Sequence, residues 1–109
     1  MSFNGNEGKQ ISLEEGAEFT GKYRAANPNS VKAMFYGRKH LEAILAQPDC
    51  QGIRIYLGAD TSGDKVLVLA GADSAENDLL DVIVEVGIRC PPTCSGTNPL
   101  NSDLKTAAK

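Results

Sequence analysis

The segment KVLVLAGAD, from Lys65 to Asp73, constrains the fold of this chain more than any other. Four apolar residues follow one another from Val66 to Leu69, with no polar residue between them. Successive side chains of a strand point to opposite faces of a sheet, so such a run is typical of a strand covered on both faces. We therefore expect this segment to be the central strand of a sheet.

The segments on either side alternate apolar and polar residues with a period of two, which predicts strands buried on one face. In GIRIYLGAD (52–60) the alternating apolar residues are Ile53, Ile55 and Leu57. In LLDVIVEVGI (79–88) they are Val82, Val84 and Val86, and the start of this segment could instead form one helical turn. The loop DTSGD (60–64) offers Gly63 for a positive φ, which favours a hairpin before the central strand.

Two helices are predicted ahead of these strands. Ser12 and Glu15 have the spacing of a capping box, in which each side chain bonds the backbone amide of the other residue, and Pro28 ends the helix that follows. In RKHLEAILAQ (38–47) apolar residues recur at helical spacing, at Leu41, Ile44 and Leu45. Pro48 ends this second, shorter helix.

The order of elements is therefore α-β-α-β-β-β, with VKAMFY (31–36) as the first strand. Short loops favour antiparallel neighbours, so we expect an α+β fold with a four-stranded, mainly antiparallel sheet and both helices packed on one of its faces. We expect a flexible N-terminal arm over residues 1–10 and a single domain over residues 11–90. Residues 91–109 are expected to form a C-terminal tail rich in Pro, Gly and Asn.

Charge and composition argue against some classes of partner. Lys and Arg number 11 against 14 Asp and Glu, and this net charge of −3 argues against nucleic-acid binding, which needs clustered basic residues. No apolar segment has the length of a signal-peptide core or of a membrane span, so a cytoplasmic protein without a membrane partner is expected. Three cysteines, an odd number, fit a compartment that keeps thiols reduced better than a secreted disulfide framework.

The motif CPPTC places Cys90 and Cys94 at a spacing that zinc ligands use. A structural zinc site needs four ligands, and the other candidates in the chain are Cys50 and His40. A Cys₃His zinc site is therefore one hypothesis, and no other cofactor is expected. The alternatives are that the two thiols pack as small apolar groups where the prolines end strand pairing, or that they act as reactive thiols.

The two prolines of this motif bear on whether its cysteines can form a disulfide. In polyproline geometry the chain advances about 3.1 Å per residue, so the Cα atoms of Cys90 and Cys94 would lie roughly 12 Å apart. A disulfide needs Cα atoms within about 7 Å of each other. We therefore expect no direct bridge unless a turn, or a cis peptide bond before Pro92, brings the two residues together.

Catalytic groups are not recognisable in the sequence. No set of nucleophile, base and orienting residue can be assembled, which favours a protein that is not an enzyme. The sole histidine, His40, is expected on the surface of the second helix. Carboxylates of the acidic loops, among them Asp60, Asp73 and Asp78, lack the register of a calcium loop and are expected to be solvated at hairpin ends.

Four stretches of the chain resemble a widespread group of small uncharacterised bacterial proteins: ISLEEGAEFTGKYR, YGRKHLEAILAQPDCQGIRIYLGAD, KVLVLAGAD and CPPTCSGTNPLNS. The resemblance covers most of residues 11–102. The group usually has alanine where Gly16 stands here, and often has a glycine after the residue corresponding to Asp73, where this chain has Ser74. No activity is known for the group, so the resemblance implies a protein of one domain and supplies no functional residue.

Two functional hypotheses follow from these observations. The first is a structural or protein-interaction module that self-associates, because the sheet is expected to leave an unpaired edge and the proline-stiffened tail can dock on a neighbouring copy. The second is a metal-binding or thiol-redox protein that uses the CPPTC segment. A weaker third hypothesis is a small-molecule pocket lined by three tyrosines, Tyr23, Tyr36 and Tyr56.

Overall fold

The computed structural model describes residues 2–103, so Met1 of the expected arm and residues 104–109 of the expected tail lie outside the described residues. The described chain contains helices α1 (Leu13–Ala26) and α2 (Arg38–Leu45). Its strands are β1 (Ala33–Phe35), β2 (Cys50–Ala59), β3 (Lys65–Asp73), β4 (Asp78–Val84) and β5 (Ile88–Cys90). The prediction of an α+β fold with two helices is confirmed.

These elements belong to two compact units. The first unit holds the N-terminal stretch to Gly8 together with Phe35–Ile88, and the second holds Lys9–Met34 together with the chain from Arg89 onward. The predicted boundaries at residues 10 and 90 differ from these, and the expectation of one domain over residues 11–90 stays a prediction.

The first unit is built on an antiparallel three-stranded sheet in the order β2-β3-β4, so β3 is the central strand, as predicted. Aspartates hold both of its hairpin turns. Oδ1 of Asp60 accepts hydrogen bonds from the N–H groups of Ser62 and Asp64 at 2.9 and 3.0 Å, and Gly63 adopts a φ of 85°. Oδ1 of Asp73 accepts in the same way from the N–H groups of the next turn, at residues 75 and 77. The predicted hairpin at 60–64 is confirmed.

Helix α2 packs on this sheet and buries its centre. Ile44 has 0% of its surface exposed and forms a core cluster with Leu69 of β3 and Val84 of β4. Leu41 packs against this cluster, whereas Leu45, which the helical spacing also placed on the apolar side, is 49% exposed. The cluster is surrounded by further half-buried side chains: Tyr36, Cys50, Ile53, Leu67 and Val82.

The prediction of one four-stranded sheet is wrong in detail, because β1 pairs with β5 in a separate two-stranded sheet. The segment at residues 79–88 was expected to be one strand, but β4 ends at Val84 and Ile88 begins β5. Between them Val86 has a φ of 64°, a left-handed conformation that cannot continue an extended strand. The chain thus leaves the larger sheet and starts a new pairing.

In the second unit, α1 begins at the predicted capping box. The N–H of Glu15 donates to Oγ of Ser12 at 3.1 Å, and the N–H of Ser12 donates to Oε1 of Glu15 at 3.4 Å. The helix ends at Asn27, whose N–H donates to the carbonyl of Tyr23 at 2.8 Å. Of the two helices expected on one face of the sheet, α2 packs there, and α1 belongs to this second unit.

The described part of the tail is bound to α1 and to the chain that follows it. Arg24 donates from Nη1 to the carbonyl of Leu100 at 2.8 Å and forms an ion pair with Asp103 at 2.9 Å. Nζ of Lys32 donates to the carbonyl of Asn101 at 3.2 Å. These residues of the tail therefore have partners within their own chain.

Neither helix within residues 2–103 has the length and apolar character that a bilayer crossing requires. The longer one, α1, has 14 residues. At 1.5 Å per residue it spans roughly 21 Å, against the roughly 30 Å of a bilayer's hydrocarbon core.

Candidate functional site

Strand β2 lies at one edge of the three-stranded sheet, and α2 is too short to cover it. In an ideal helix eight residues span about 12 Å, whereas ten residues of a strand span about 33 Å. The helix ends before Pro48 and packs over the first half of the strand. Residues from Cys50 to Arg54 are half-buried, and those from Ile55 to Ala59 are exposed.

The exposed half of β2 carries two large apolar side chains that continue the core. Ile55 and Leu57 are 56% and 77% exposed, although they pair across the strands with Leu69, which is buried, and with Leu67, which is half-buried. Directly opposite residues of an antiparallel pair share a face of the sheet. The face that α2 covers therefore extends into solvent at Ile55 and Leu57, which lie two residues apart on that face.

The backbone of this half-strand is regular and lacks the devices that protect sheet edges. From Gly52 to Ala59 each residue pairs with one residue of β3, and the register shift of β2 lies near its start, between Cys50 and Gly52. The stretch from Ile55 to Ala59 contains neither a charged residue nor a proline. Charges, prolines and bulges are the devices that prevent strands from pairing with other chains, and within the described residues the stretch from Ile55 to Ala59 carries none of them.

On the other face of the sheet, Arg54 and Tyr56 of β2 bind one carboxylate of β4. Nη1 of Arg54 donates to Oδ1 of Asp78, and the O–H of Tyr56 donates to Oδ2. Nη2 of Arg54 also donates to the carbonyl of Glu76 at 3.3 Å. The expectation that Asp78 is solvated at a hairpin end is therefore wrong, because its carboxylate ties β2 to β4 and fixes the edge strand in place.

Two alanines of β3 make room for this bond across the sheet. Ala70 pairs with Arg54 and Ala72 pairs with Asp78, and both alanines are buried, at 2% and 3% exposure. Because their side chains are single methyl groups, the side chain of Arg54 can extend across β3 to the carboxylate of Asp78. The sequence does not predict this ion pair, because the contact depends on the registers of β2 and β4 against β3.

The N-terminal segment contacts the cluster formed by Arg54, Tyr56 and Asp78. The ring of Phe3 lies 5.5 Å from Cζ of Arg54, within the range of a cation–π contact. The N–H of Phe3 donates to the carbonyl of Ser74 at 3.1 Å. The hydroxyl of Ser74 in turn donates to Asp49 at 2.7 Å, and this bond lowers the pKa of Asp49. The described start of the expected flexible arm thus has defined partners on the sheet.

The pKa of Asp78 is lowered from its ordinary value, first by the hydrogen bond from Tyr56 and then by its bond and attraction to Arg54. The same bond raises the pKa of Tyr56, because the carboxylate holds the phenolic proton. A lowered carboxyl pKa contributes stability above the unfolded value, of about 3.9, and that contribution is lost as the pH falls through the folded value. A raised phenol pKa contributes stability below about 10, lost as the pH rises through the folded value.

We therefore expect the urea midpoint of unfolding to fall below about pH 4 and again above about pH 10. The substitution Asp78→Asn should flatten both slopes, because it removes the carboxyl that titrates in acid and the carboxylate that raises the pKa of Tyr56. The control Asp49→Asn should leave the alkaline slope unchanged, since Asp49 is bonded to Ser74 and not to a tyrosine. Slopes that are the same in wild type and Asp78→Asn would contradict this role of the cluster.

A cavity of about 370 Å³ lies beside the cluster, between the N-terminal segment and the start of β2. Its two charged side chains already have partners. Arg54 binds Asp78, and the carboxylate of Glu7 accepts hydrogen bonds from the N–H groups of Asn4 and Gly5 at 2.9 and 3.0 Å. Both charged side chains that line the cavity are therefore already paired, and we assign it no ligand.

The structure joins Cys90 and Cys94 in a disulfide with a Cα–Cα distance of 4.8 Å. The extended path that would separate these atoms by roughly 12 Å is therefore wrong. The chain reverses instead: the N–H of Thr93 donates to the carbonyl of Arg89 at 2.9 Å, and the peptide bonds before Pro91 and Pro92 are both cis. The condition stated for a bridge, a turn or a cis bond before Pro92, is met.

The four residues of the predicted zinc site are not brought together. Cys90 and Cys94 bond each other, Cys50 donates from its thiol to the carbonyl of Gly52 at 3.3 Å, and His40 is exposed on α2, where it was expected. Across residues 2–103, no group of three or more His, Cys, Asp or Glu side chains is placed to hold a metal ion. The zinc hypothesis therefore gains no support from the described residues.

Each of the three tyrosines of the pocket hypothesis has a hydrogen-bond partner of its own. The hydroxyl of Tyr23 is 3.0 Å from Oγ of Ser30, that of Tyr36 donates to the carbonyl of Leu67 at 2.9 Å, and that of Tyr56 donates to Asp78. Burial raises the pKa of Tyr36, as does the nearby charge of Glu85. Each hydroxyl therefore has a partner, and of the three tyrosines Tyr36 packs against the core cluster.

No protein-family model matches the chain, and comparisons with curated proteins and with solved structures gave no match either. The resemblance to a group of small bacterial proteins therefore stays a prediction, and the function has to be argued from the chain itself.

Proposed function

We propose that this chain is a protein-interaction module that self-associates by pairing the exposed half of β2 with β2 of a second copy. The single observation that carries the proposal is the regular, uncharged edge from Ile55 to Ala59, with Ile55 and Leu57 exposed beside the core. Pairing two such strands gives their outward N–H and C=O groups partners and removes apolar surface from water.

A second copy suits this edge because the strand is self-complementary in antiparallel pairing. With Ile55 opposite Ile55 of the second copy, Ile53 comes to lie opposite Leu57, and Arg54 comes to lie opposite Tyr56. This register places apolar residues side by side and sets a guanidinium against an aromatic ring, both of which stabilise cross-strand pairs.

A second register, shifted by one residue toward Ala59, is also favourable. With Tyr56 opposite Tyr56 of the second copy, Ile55 lies opposite Leu57 on both sides of the two-fold axis. The register in the other direction sets Arg54 opposite Arg54, and like charges directly opposite are destabilising. The position of Arg54 thus restricts the pairing to registers that bring the exposed apolar residues together.

Sedimentation velocity over a series of protein concentrations, with a reductant present to prevent intermolecular disulfides, tests this proposal. We expect the weight-average sedimentation coefficient of the wild type to rise with concentration. The substitution Leu57→Lys should abolish this rise, because in both registers it places a charge opposite an isoleucine of the second copy. Circular dichroism should show an unchanged fold, since Leu57 is 77% exposed.

The matched control is Leu80→Lys, which introduces the same charge at an apolar residue that is 73% exposed on β4, at the opposite edge of the sheet. We expect this variant to associate as the wild type does. A wild type that stays monomeric at every concentration would contradict the proposal. Loss of association in Leu80→Lys but not in Leu57→Lys would contradict it as well, and would move the interface to β4.

A thiol-based role is the second candidate, and the bond between Cys90 and Cys94 is the observation that favours it. The zinc form of this hypothesis would need both sulfurs as free thiolates. The thiol form needs them to exchange between disulfide and thiol. This role does not depend on the pairing of β2.

A further inference from the structure

We propose that the Cys90–Cys94 disulfide is a reversible thiol-exchange site at which an external small-molecule thiol attacks the sulfur of Cys94. The proposal rests on how differently the two cysteines are placed. Cys90 is 6% exposed, whereas Cys94 is exposed. Exchange requires the attacking thiolate to reach a sulfur of the disulfide, so access selects Cys94.

Backbone hydrogen bonds also hold the segment around the buried cysteine. The carbonyl of Cys90 accepts from the N–H of Lys32 at 2.7 Å, and the carbonyl of Arg89 accepts from the N–H of Thr93 at 2.9 Å. Cys90 also belongs to β5, which pairs with β1. Opening the disulfide therefore frees a surface sulfur and leaves the buried cysteine anchored.

The short separation of the two cysteines points in the same direction. Cys90 and Cys94 are four residues apart, so the covalent loop is small. The stabilisation that a disulfide provides by restricting the unfolded chain grows with the length of the loop it closes. A bond that closes so short a loop contributes less to folding than one between distant segments, and exposed disulfides are typically the labile ones.

The reduction proceeds through two exchange steps, each of which forms one S–S bond and breaks another. A thiolate RS⁻ attacks Sγ of Cys94, the S–S bond breaks, and Cys90 leaves with the electron pair as a thiolate while an RS–S bond forms on Cys94. A second thiolate attacks the RS sulfur of this mixed disulfide, releases RSSR and leaves Cys94 as a thiolate. Two thiols are thereby oxidised to one disulfide, two electrons reduce the protein disulfide, and the two protons of the thiols end on Cys90 and Cys94.

Single-cysteine accessibility is the first test, made in a Cys50→Ser background so that the third thiol is absent. The variants Cys90→Ser and Cys94→Ser are each incubated with oxidised glutathione, and the intact mass is followed over time. We expect Cys90→Ser, which retains Cys94, to gain one glutathionyl group at least about tenfold faster than Cys94→Ser, because a buried thiol is protected. Equal rates, or faster reaction of Cys90, would overturn the proposal.

A second measurement uses the wild-type chain, in case the serine variants do not fold. The protein is equilibrated in mixtures of reduced and oxidised glutathione, alkylated and digested, and the peptides with Cys90, Cys94 and Cys50 are quantified separately. We expect the Cys90–Cys94 bond to open and close reversibly while the circular dichroism spectrum is unchanged. A bond that resists reduction in the folded protein, or whose reduction unfolds the chain, would show a purely structural disulfide and overturn the proposal.

Discussion

The substitution Ile44→Ala is expected to destabilise the fold by about 2–5 kcal/mol, the usual range for truncating a buried isoleucine. Ile44 has 0% exposure and contacts Leu69 of the central strand and Val84 of β4, so its removal leaves a cavity at the centre of the core cluster. Within residues 2–103 few other side chains are buried, and small domains are only about 5–15 kcal/mol stable. We therefore expect a large part of the total stability to be lost.

Urea denaturation followed by circular dichroism measures this change as a shift of the midpoint. The matched control is Leu45→Ala, the next residue of the same helix. Leu45 is 49% exposed, so its truncation creates no closed cavity and should cost much less. Equal losses in the two variants would mean that α2 does not pack on the sheet through Ile44.

The substitution Gly71→Ala is expected to destabilise the fold by about 1–3 kcal/mol, the usual cost of overpacking a core. A Cβ atom at this position of β3 would lie 2.8 Å from Sγ of Cys50, 3.0 Å from Nε2 of Gln47 and 3.2 Å from Cγ2 of Ile44. These distances are shorter than van der Waals contact, and Ile44 has no space to retreat. At least the side chain of Cys50 would have to shift, and those of Gln47 and Ile44 would have to give way as well.

A double-mutant cycle with Cys50→Ala tests this explanation, because the shortest of these contacts is to the sulfur. We expect Gly71→Ala to cost less in the Cys50→Ala background than in the wild type. The matched control is Gly52→Ala, on the neighbouring strand, where an added Cβ meets nothing within 4 Å. A large loss for Gly52→Ala, or additivity of the other two changes, would show that the close contact at Gly71 is not the cause.

The parts of the fold that could be predicted from sequence are those governed by local patterns. The capping box at Ser12 and Glu15, the turn at Gly63 and the apolar run of β3 each depend on a few adjacent residues, and each is present in the structure. Their physical causes, a side chain bonding a nearby amide or a period of two along a strand, are contained within one segment.

The assignment of strands to sheets could not be predicted, because it depends on contacts between distant segments. The alternation in residues 79–88 continues past Val84, yet the left-handed conformation of Val86 ends β4 and frees the chain to form β5. Valine is rarely found with a positive φ, so no residue preference marks this break. For this reason the chain forms two sheets where the sequence pattern predicts one.

The ion pair of Arg54 with Asp78 was missed for a related reason. The two residues are 24 positions apart and meet only because the strand register places Ala70 and Ala72 between them. A register is a property of two strands together, so neither segment alone predicts the bond. Gly16 of α1 also takes part in a contact between distant segments. An added Cβ there would lie 3.2 Å from Cδ2 of Leu100, so the glycine accommodates a contact with the tail.

The short loop at CPPTC could not be predicted from spacing. Consecutive prolines suggest an extended path, and the sequence contains no sign that the chain reverses between Cys90 and Cys94. The disulfide follows from that reversal and not from the number of residues between the cysteines. A spacing that zinc ligands also use therefore led to a hypothesis that the described residues do not support.

Amide hydrogen exchange of β2 at low and high protein concentration tests the central claim, edge-to-edge pairing of the exposed half of β2 (residues 55–59), most directly. Outward amides of this strand face solvent in the single chain and become bonded when two strands pair, so their exchange must slow on association. The account predicts that protection of peptides spanning Ile55 to Ala59 increases with concentration, while protection of β4 (Asp78–Val84) stays constant. Protection of β2 that is independent of concentration, or an increase confined to β4, would contradict the account.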